Sequence, residues 1–425
     1  MTYAETLTYL YHNLPMFQRV GALAYKKDLT NTLQLCEALG NPQRKFKSIH
    51  IAGTNGKGST SHMLAAILQT AGYKTGLYTS PHLKEFTERI RVDGKEVSQE
   101  FVVDFVKRIK PSIESIKPSF FEITVAMAFD YFAKEQTDIA VIETGLGGRL
   151  DSTNIIHPVL SIITNISWDH MDLLGDTLSK IAFEKAGIIK EGVPVVVSER
   201  QDEVAHVFTE KANGTKSKIT FASDVYKITR TSRGHYDLAM NNQPSISIET
   251  DLTGGYQAKN IPGVLCAVDE LRLGGLTISD EHLHQGLKNT ILLTGLKGRW
   301  QTIETNPLII CDTGHNEAGI KEILLQIKET EFDQLHWVLG MVRDKDVSKI
   351  LALLPKDAKY YFCEASIPRA MPPSVLMEKA LRFGLVGKDC KNVNDAIRQA
   401  RNESGTNDLI FIGGSTYIVA EIENL

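Results

Sequence analysis

Between an apolar run, FKSIHIAG, and a helix-like stretch, GSTSHMLAAILQTA, lies Gly53-Thr54-Asn55-Gly56-Lys57-Gly58-Ser59. Glycines let the backbone turn so tightly that successive N–H groups point inward, at the spacing of phosphate oxygens. The following helix adds its positive end and Lys57 a mobile charge. The loop is shorter than GxxxxGK[ST], and Gly58 stands where a metal-binding hydroxyl would follow the lysine. Ser59, or a hydroxyl elsewhere, must then take that role. A glycine-rich turn that merely opens a helix is the plainer alternative; the lysine and the flanking pattern weigh against it.

The segment after the helix, KTGLYTS (74–80), reads as a strand. Strand, phosphate loop, helix and strand together are the building block of a parallel sheet. Strands DIAVIETG (138–145), VLSIITNI (159–166) and VPVVVSE (193–199) continue it, with a helix over 121–135. Their near-continuous Val/Ile content suits strands buried on both faces. Residues 1–45 read as helices broken by turns. Residues 213–256, polar and turn-rich, read as a small peripheral antiparallel sheet, and LLTGLKGRWQ (292–301) as a linker. Alternation then resumes: strands in NPLIICDTG, LHWVLGM, AKYYFCEA and DLIFIGG, helices over 316–329, 346–354, 373–383 and 393–402. The expected fold is α/β: a P-loop parallel-sheet ATPase domain over residues 1–295, then a smaller Rossmann-like α/β domain over 296–425.

A chain of 425 residues can bury two cores. With 47 basic and 51 acidic residues, its net charge of −4 offers no field for nucleic acid or a membrane surface. No apolar run approaches a membrane span, and MTYAETLTYLYHNLP lacks the pattern of a signal peptide. Five scattered cysteines, without a CxxC pair, argue against a disulfide framework or a thiolate zinc site and for a reducing, cytoplasmic setting. Cys311 and Cys363 sit in apolar strands and read as core.

HIAGTNGKGS resembles the phosphate loop of the Mur ligase superfamily, and its glycine after the lysine resembles the folylpolyglutamate synthase/dihydrofolate synthase branch. The likeness recurs in order along nearly the whole chain: SPHL with Glu88-Arg-Ile, FFEITVAMAF, IETGLGGRLDSTNII, ITNISWDHMDLLGDT, IAFEKAGIIK, GRW and DTGHN. It implies an ATP-dependent ligase that joins L-glutamate to dihydropteroate, or to the glutamate tail of reduced folates, through an acyl phosphate. Phosphate loop, Ser80, Glu143 and Asp169-His170 each end a strand, where ligands bind in this architecture. The resemblance implies magnesium, as two ions, on Ser59, Ser80, Glu143, His170 and Lys185, with Lys185 carbamylated, and leaves room for a monovalent cation. Taken alone, Glu143 also fits a structural carboxylate, His170 a core histidine and Lys185 a solvated helix lysine.

By the same resemblance Asn260 meets adenine, Arg299 the phosphates, and Asp312 and His315 the ribose and adenine; Arg299 alone would also fit a surface linker. Phe121, Arg149, Asp151 and Ser152 match the folate side, although Ser152 stands where many bifunctional relatives have alanine. Phe121 could instead be core and Arg149 a rim residue. Ser415, in GGSTYIVAE, is assigned to glutamate. The partners are then small molecules bound to a monomer. Monofunctional polyglutamation is the nearer rival. A peptidoglycan-precursor ligase is disfavoured by Gly58 and SPHL. An ATP-gated binding module would not need Glu143, His170, Lys185 and Arg299 together, and a dinucleotide-binding dehydrogenase would need a GxGxxG after an early strand, which this chain lacks.

Overall fold

The structure is a computed structural model that describes residues 1–16, 28–240, 246–343 and 347–425. It divides into two compact units, one of residues 1–251 and 257–296, the other of 252–256 and 297–425. The parts of the expected helices over 1–45 and 346–354, and of the antiparallel segment 213–256, that fall on 17–27, 344–346 and 241–245 lie outside the described residues.

The first unit is built on an eight-stranded sheet ordered β4-β3-β2-β5-β1-β6-β7-β8. Its strands are β1 (Lys47–Ala52), β2 (Thr75–Tyr78), β3 (Ile90–Val92), β4 (Lys95–Glu96), β5 (Ile139–Glu143), β6 (Leu160–Ile163), β7 (Val195–Val197) and β8 (Ile219–Phe221). The pairs from β2 across to β8 are parallel, while β3 and β4 add an antiparallel edge. Every residue of β2, β5 and β6 is buried, as an apolar run covered on both faces requires. The helix Lys57–Thr70 buries eleven of its residues, from Gly58 to Leu68. That is why the sequence around it shows no clean apolar stripe.

A three-stranded antiparallel sheet, β9 (Tyr226–Ser232), β10 (His235–Met240) and β11 (Ile246–Glu249), stands apart from this sheet. Its polar, exposed register matches the meander expected over 213–256. KITFASD differs from the expectation: Ile219–Phe221 is not part of the meander but the parallel edge of the main sheet. The helix Asp202–Gly214 is the crossover that takes it there.

In the second unit the order is β12-β13-β17-β14-β15-β16, from β12 (Gln301–Thr305), β13 (Leu308–Cys311), β14 (Leu335–Leu339), β15 (Lys359–Glu364), β16 (Gly387–Asn392) and β17 (Leu409–Gly413). Only β12 is antiparallel. The half-exposed edge strands β12 and β16 lack an apolar run, so their signal in sequence is weak. The expected linker 292–301 is shorter than read, since the helix Thr290–Thr294 and β12 take its two ends. All five cysteines are buried and unpaired. Among the described residues no helix is long and apolar enough to cross a membrane.

Candidate active site

Strands β2, β5, β1 and β6 are neighbours and parallel, so the segments that leave their carboxyl ends emerge side by side. These are Ser80, Glu143, the phosphate loop and residues 164–170. Strand order alone therefore brings out side by side the four segments expected at the strand ends.

The loop is clamped from one side. Thr54 N–H donates to the Asn165 carbonyl at 2.8 Å and Asn55 N–H to Asn165 Oδ1 at 3.1 Å. Thr164 Oγ1 donates to the Asn55 carbonyl, and Ser167 N–H to Thr54 Oγ1. Gly53 has φ +147°, and a Cβ there would lie 1.8 Å from Thr164 Oγ1. At Gly56, with φ +87°, a Cβ would lie 2.2 Å from Asn260 Oδ1. Both glycines are thus required by a close approach as well as by conformation. Thr54 and Asn55 spend their N–H groups on this clamp. The opening turn of the helix at Gly56–Ser59 is left as the anion-facing surface.

Two lysines converge on this loop. Lys57 Nζ donates to the carbonyls of Gly53 (3.1 Å) and Thr54 (3.2 Å). Lys185 Nζ, from the helix Leu178–Ala186, donates to the same Gly53 carbonyl at 2.7 Å. Lys185 is 4% exposed, so the solvated-lysine alternative does not hold. Burial first, and then the Lys57 charge, push its ammonium down to about 7 against the pull of Asp169 and Asp151. Two cationic groups on one carbonyl oxygen make a site that awaits negative charge.

Glu143 ends β5, is buried, and its Oε2 faces Ser80 N–H at 3.4 Å. The turn that carries Ser80 is held by Glu88, which accepts from the backbone N–H groups of Leu83, Lys84 and Glu85. Beside Glu143, the buried Thr144 Oγ1 has no hydrogen-bond partner among the described residues. His170 takes a left-handed φ of 50° at the start of a short helix, half-buried, with Nε2 3.9 Å from Asp169 Oδ1. This is an oxygen-rich donor set, and it fits magnesium, which favours one or two carboxylates plus waters and phosphate oxygens. Among the described residues no three His, Cys, Asp or Glu side chains gather into an all-protein metal cage.

The folate-side candidates divide. Phe121 lies in the first turn of the helix Phe120–Lys134, half-buried, and its ring fills the space where a Cβ on Gly145 would come within 2.4 Å. Arg149 is exposed, paired with Glu184 at 2.8 Å and stacked over Phe183, as a rim residue would be. Ser152 is half-buried at the start of a 3-10 turn. Asp151 is 2% exposed and turned inward. Its Oδ2 accepts from Leu146 N–H, and its Oδ1 from Thr153 N–H and Thr153 Oγ1. These three bonds also shape the 145–153 loop, on which Arg149 and Ser152 lie.

In the second unit, Asp312 is likewise a buried hub. Tyr256 Oη and Trp300 N–H donate to its Oδ2 at 2.6 and 2.7 Å, and Gly314 N–H to its Oδ1 at 2.7 Å. Burial raises its pKa despite those donors. Asp312 therefore pins GRW to DTGHN. Arg299, half-buried, donates to Thr313 Oγ1 and to the Gly298 carbonyl. His315 Nδ1 lies 3.0 Å from the Thr313 carbonyl. Ser415 caps the helix Thr416–Ala420 through Tyr417 N–H. Sequence reasoning missed Thr164 and Asn165, which clamp the loop, and Gln257, which touches Ser59. Their only signal was position: one pair just past a strand end, the other three residues before Asn260.

A phosphate loop at the carboxyl edge of a parallel sheet, with a buried lysine on its backbone, is a site built for a nucleoside triphosphate, and the comparisons place it among the Mur ligases. Family models match accordingly, the Mur ligase middle domain over residues 51–268 and the Mur ligase glutamate ligase domain over 298–416. The dihydrofolate synthase/folylpolyglutamate synthase of Bacillus subtilis is 33% identical over 412 residues, covering 93% of this chain and 94% of that protein. The Escherichia coli FolC structure in complex with DHPP and ADP superposes with a TM-score of 0.86 at 27% identity, covering 99% and 96% of the two chains. A bifunctional folylpolyglutamate synthase/dihydrofolate synthase from Yersinia pestis, complexed with AMPPNP and Mn ion, gives 0.83 at 28% identity over 99% and 97%. The chain belongs to the dihydrofolate synthase/folylpolyglutamate synthase family of Mur ligases.

Proposed function

We propose that this protein ligates L-glutamate to dihydropteroate and to the glutamate tail of reduced folates, consuming ATP and releasing ADP and phosphate. The carrying observation is the phosphate loop on which Lys57 and the buried Lys185 converge at the Gly53 carbonyl, set in a chain of this family. A carboxylate anion resists attack by an amine at neutral pH. The loop and Lys57 hold the triphosphate so that a carboxylate oxygen of the acceptor bonds to the γ-phosphorus as the bond to ADP breaks. The glutamate nitrogen then attacks the acyl carbon, phosphate leaves with the C–O electron pair, and the amine gives up its extra proton. Positioning and charge neutralisation dominate such a transfer.

Magnesium, when bound, neutralises charge on the phosphate oxygens; Ser59, Ser80, Glu143 and His170 are the residues that would hold it, as two ions, beside a monovalent cation. Lys185 joins that set as a carbamate. Its buried amine, pushed down to about 7, has the free lone pair that carbon dioxide requires. Asn260, Arg299, Asp312 and His315 serve the nucleotide, Phe121, Arg149, Asp151 and Ser152 the folate, and Ser415 the glutamate. Residues 1–295 form the ATP-binding domain and 296–425 the glutamate-ligase domain. The setting is the cytoplasm and the working form a monomer, with small molecules as its partners.

Phosphate release with ATP, magnesium and glutamate tests the reading, with dihydropteroate in one reaction and tetrahydrofolate in another. Turnover with both is expected. Turnover with tetrahydrofolate alone would favour monofunctional polyglutamation, a reading that the inward-facing Asp151 and the Ser152 variation support. Silence in both would overturn the assignment.

A further inference from the structure

We infer that Gln257 is a positioning residue that fixes the direction of the Ser59 hydroxyl in the phosphate loop; the inference rests on the nucleotide-binding reading of that loop. Gln257 opens the helix Gln257–Leu273 and is fully buried. Its amide stands between two groups with assigned roles. Asn260 Nδ2 donates to Gln257 Oε1 at 2.8 Å, and Gln257 Nε2 donates to Ser59 Oγ at 3.2 Å.

The first bond sets the orientation of the second. An amide flipped end for end would put Nε2 against the Asn260 Nδ2 donor, two N–H groups face to face in a buried space. With Oε1 held by Asn260, Nε2 must face Ser59, and one lone pair of Ser59 Oγ is occupied. The hydroxyl proton and the remaining lone pair are then turned away from Gln257. Ser59 is 1% exposed, in the first turn of the helix that receives the phosphates. Its hydroxyl would otherwise satisfy itself on nearby backbone, as serines in helices do. Asn260 is itself located by the loop, since its Oδ1 occupies the space that a side chain at Gly56 would need. Gln257 thus carries orientation from Asn260 to Ser59 by direct contact.

The test is a thermodynamic cycle on binding of ATP with magnesium, without acceptor, measured by isothermal titration calorimetry. The proteins are wild type, Gln257→Met, Ser59→Ala and the double variant. Methionine keeps the length of the side chain and removes both hydrogen bonds. Gln257→Met should raise Kd by roughly threefold to tenfold, the scale of one oriented hydrogen bond. In the Ser59→Ala background the same change should cost clearly less than in wild type, because the hydroxyl it orients is gone and only the Asn260 contact is left to lose. Additive losses, or an unchanged Kd in the single variant, would overturn the role. A loss of melting temperature with additive binding losses would mark Gln257 as packing only. If wild-type protein does not bind ATP, the ligase reading falls first and this role with it.

Discussion

Mild acid should destabilise the first unit, and His50 should carry a separable share of the loss. It lies in β1, opposite Ile142 and Ser161 in the flanking strands, and has no exposed surface. Thr153 Oγ1 donates to Asp151 Oδ1 at 2.5 Å and accepts from His50 Nε2–H at 2.8 Å. The imidazole is therefore neutral with its proton on Nε2, and Nδ1 has no partner among the described residues. Burial, helped by the Lys190 charge, pushes its pKa from 6.5 down to about 3. The unfolded chain binds a proton below 6.5 that the folded chain refuses until about 3. Stability is thus present above 6.5 and lost as pH falls through that window. Between about pH 7.5 and about pH 5 the loss is about 2 kcal/mol, set almost wholly by the unfolded pKa. Urea denaturation of wild type and His50→Asn at both pH values, followed by circular dichroism, isolates this contribution. Asparagine costs stability everywhere but cannot titrate. The wild type should lose about 2 kcal/mol more than the variant on acidification. Parallel losses would refute the buried neutral imidazole.

Gly53→Ala places a Cβ on Thr164 Oγ1 in a backbone conformation foreign to alanine; ATP binding by calorimetry should vanish while the melting temperature moves little. Lys185→Ala should lower kcat by at least ~100-fold, as loss of a catalytic electrostatic group does, and short carboxylic acids should restore part of it if a carbamate is the working form. Rescue by alkylamines instead would indicate an unmodified ammonium. Tyr256→Phe removes one of three donors to the buried Asp312. It should cost the second unit about 1–3 kcal/mol, read from the urea midpoint of Trp300 and Trp337 fluorescence.

The phosphate loop, the main strands of both units and the order of the motifs were legible in the sequence, because each depends on local pattern. Glycine spacing, a lysine at a helix start and Val/Ile runs of strand length act over a few residues. Even the emergence of Ser80, Glu143 and the 164–170 segment from neighbouring strand ends followed from a parallel sheet. Edge strands were harder to see. β12 and β16 bury too little to leave an apolar signature, and Ile219–Phe221 reads like the meander it does not join.

What the tertiary structure alone decided is how each polar group is satisfied. Lys185, Asp151 and Asp312 are letters that read equally well as solvated, ligand-facing or structural. Their partners, Gly53, Leu146 and Tyr256, are supplied by the fold. A buried polar group must find a partner or carry a desolvation penalty. Burial and partnership are properties of contacts between distant segments, such as the 198 positions that separate Ser59 from Gln257. The sequence by itself determined which chemistry the chain carries; only the packed structure decided which of those groups remain free to perform it.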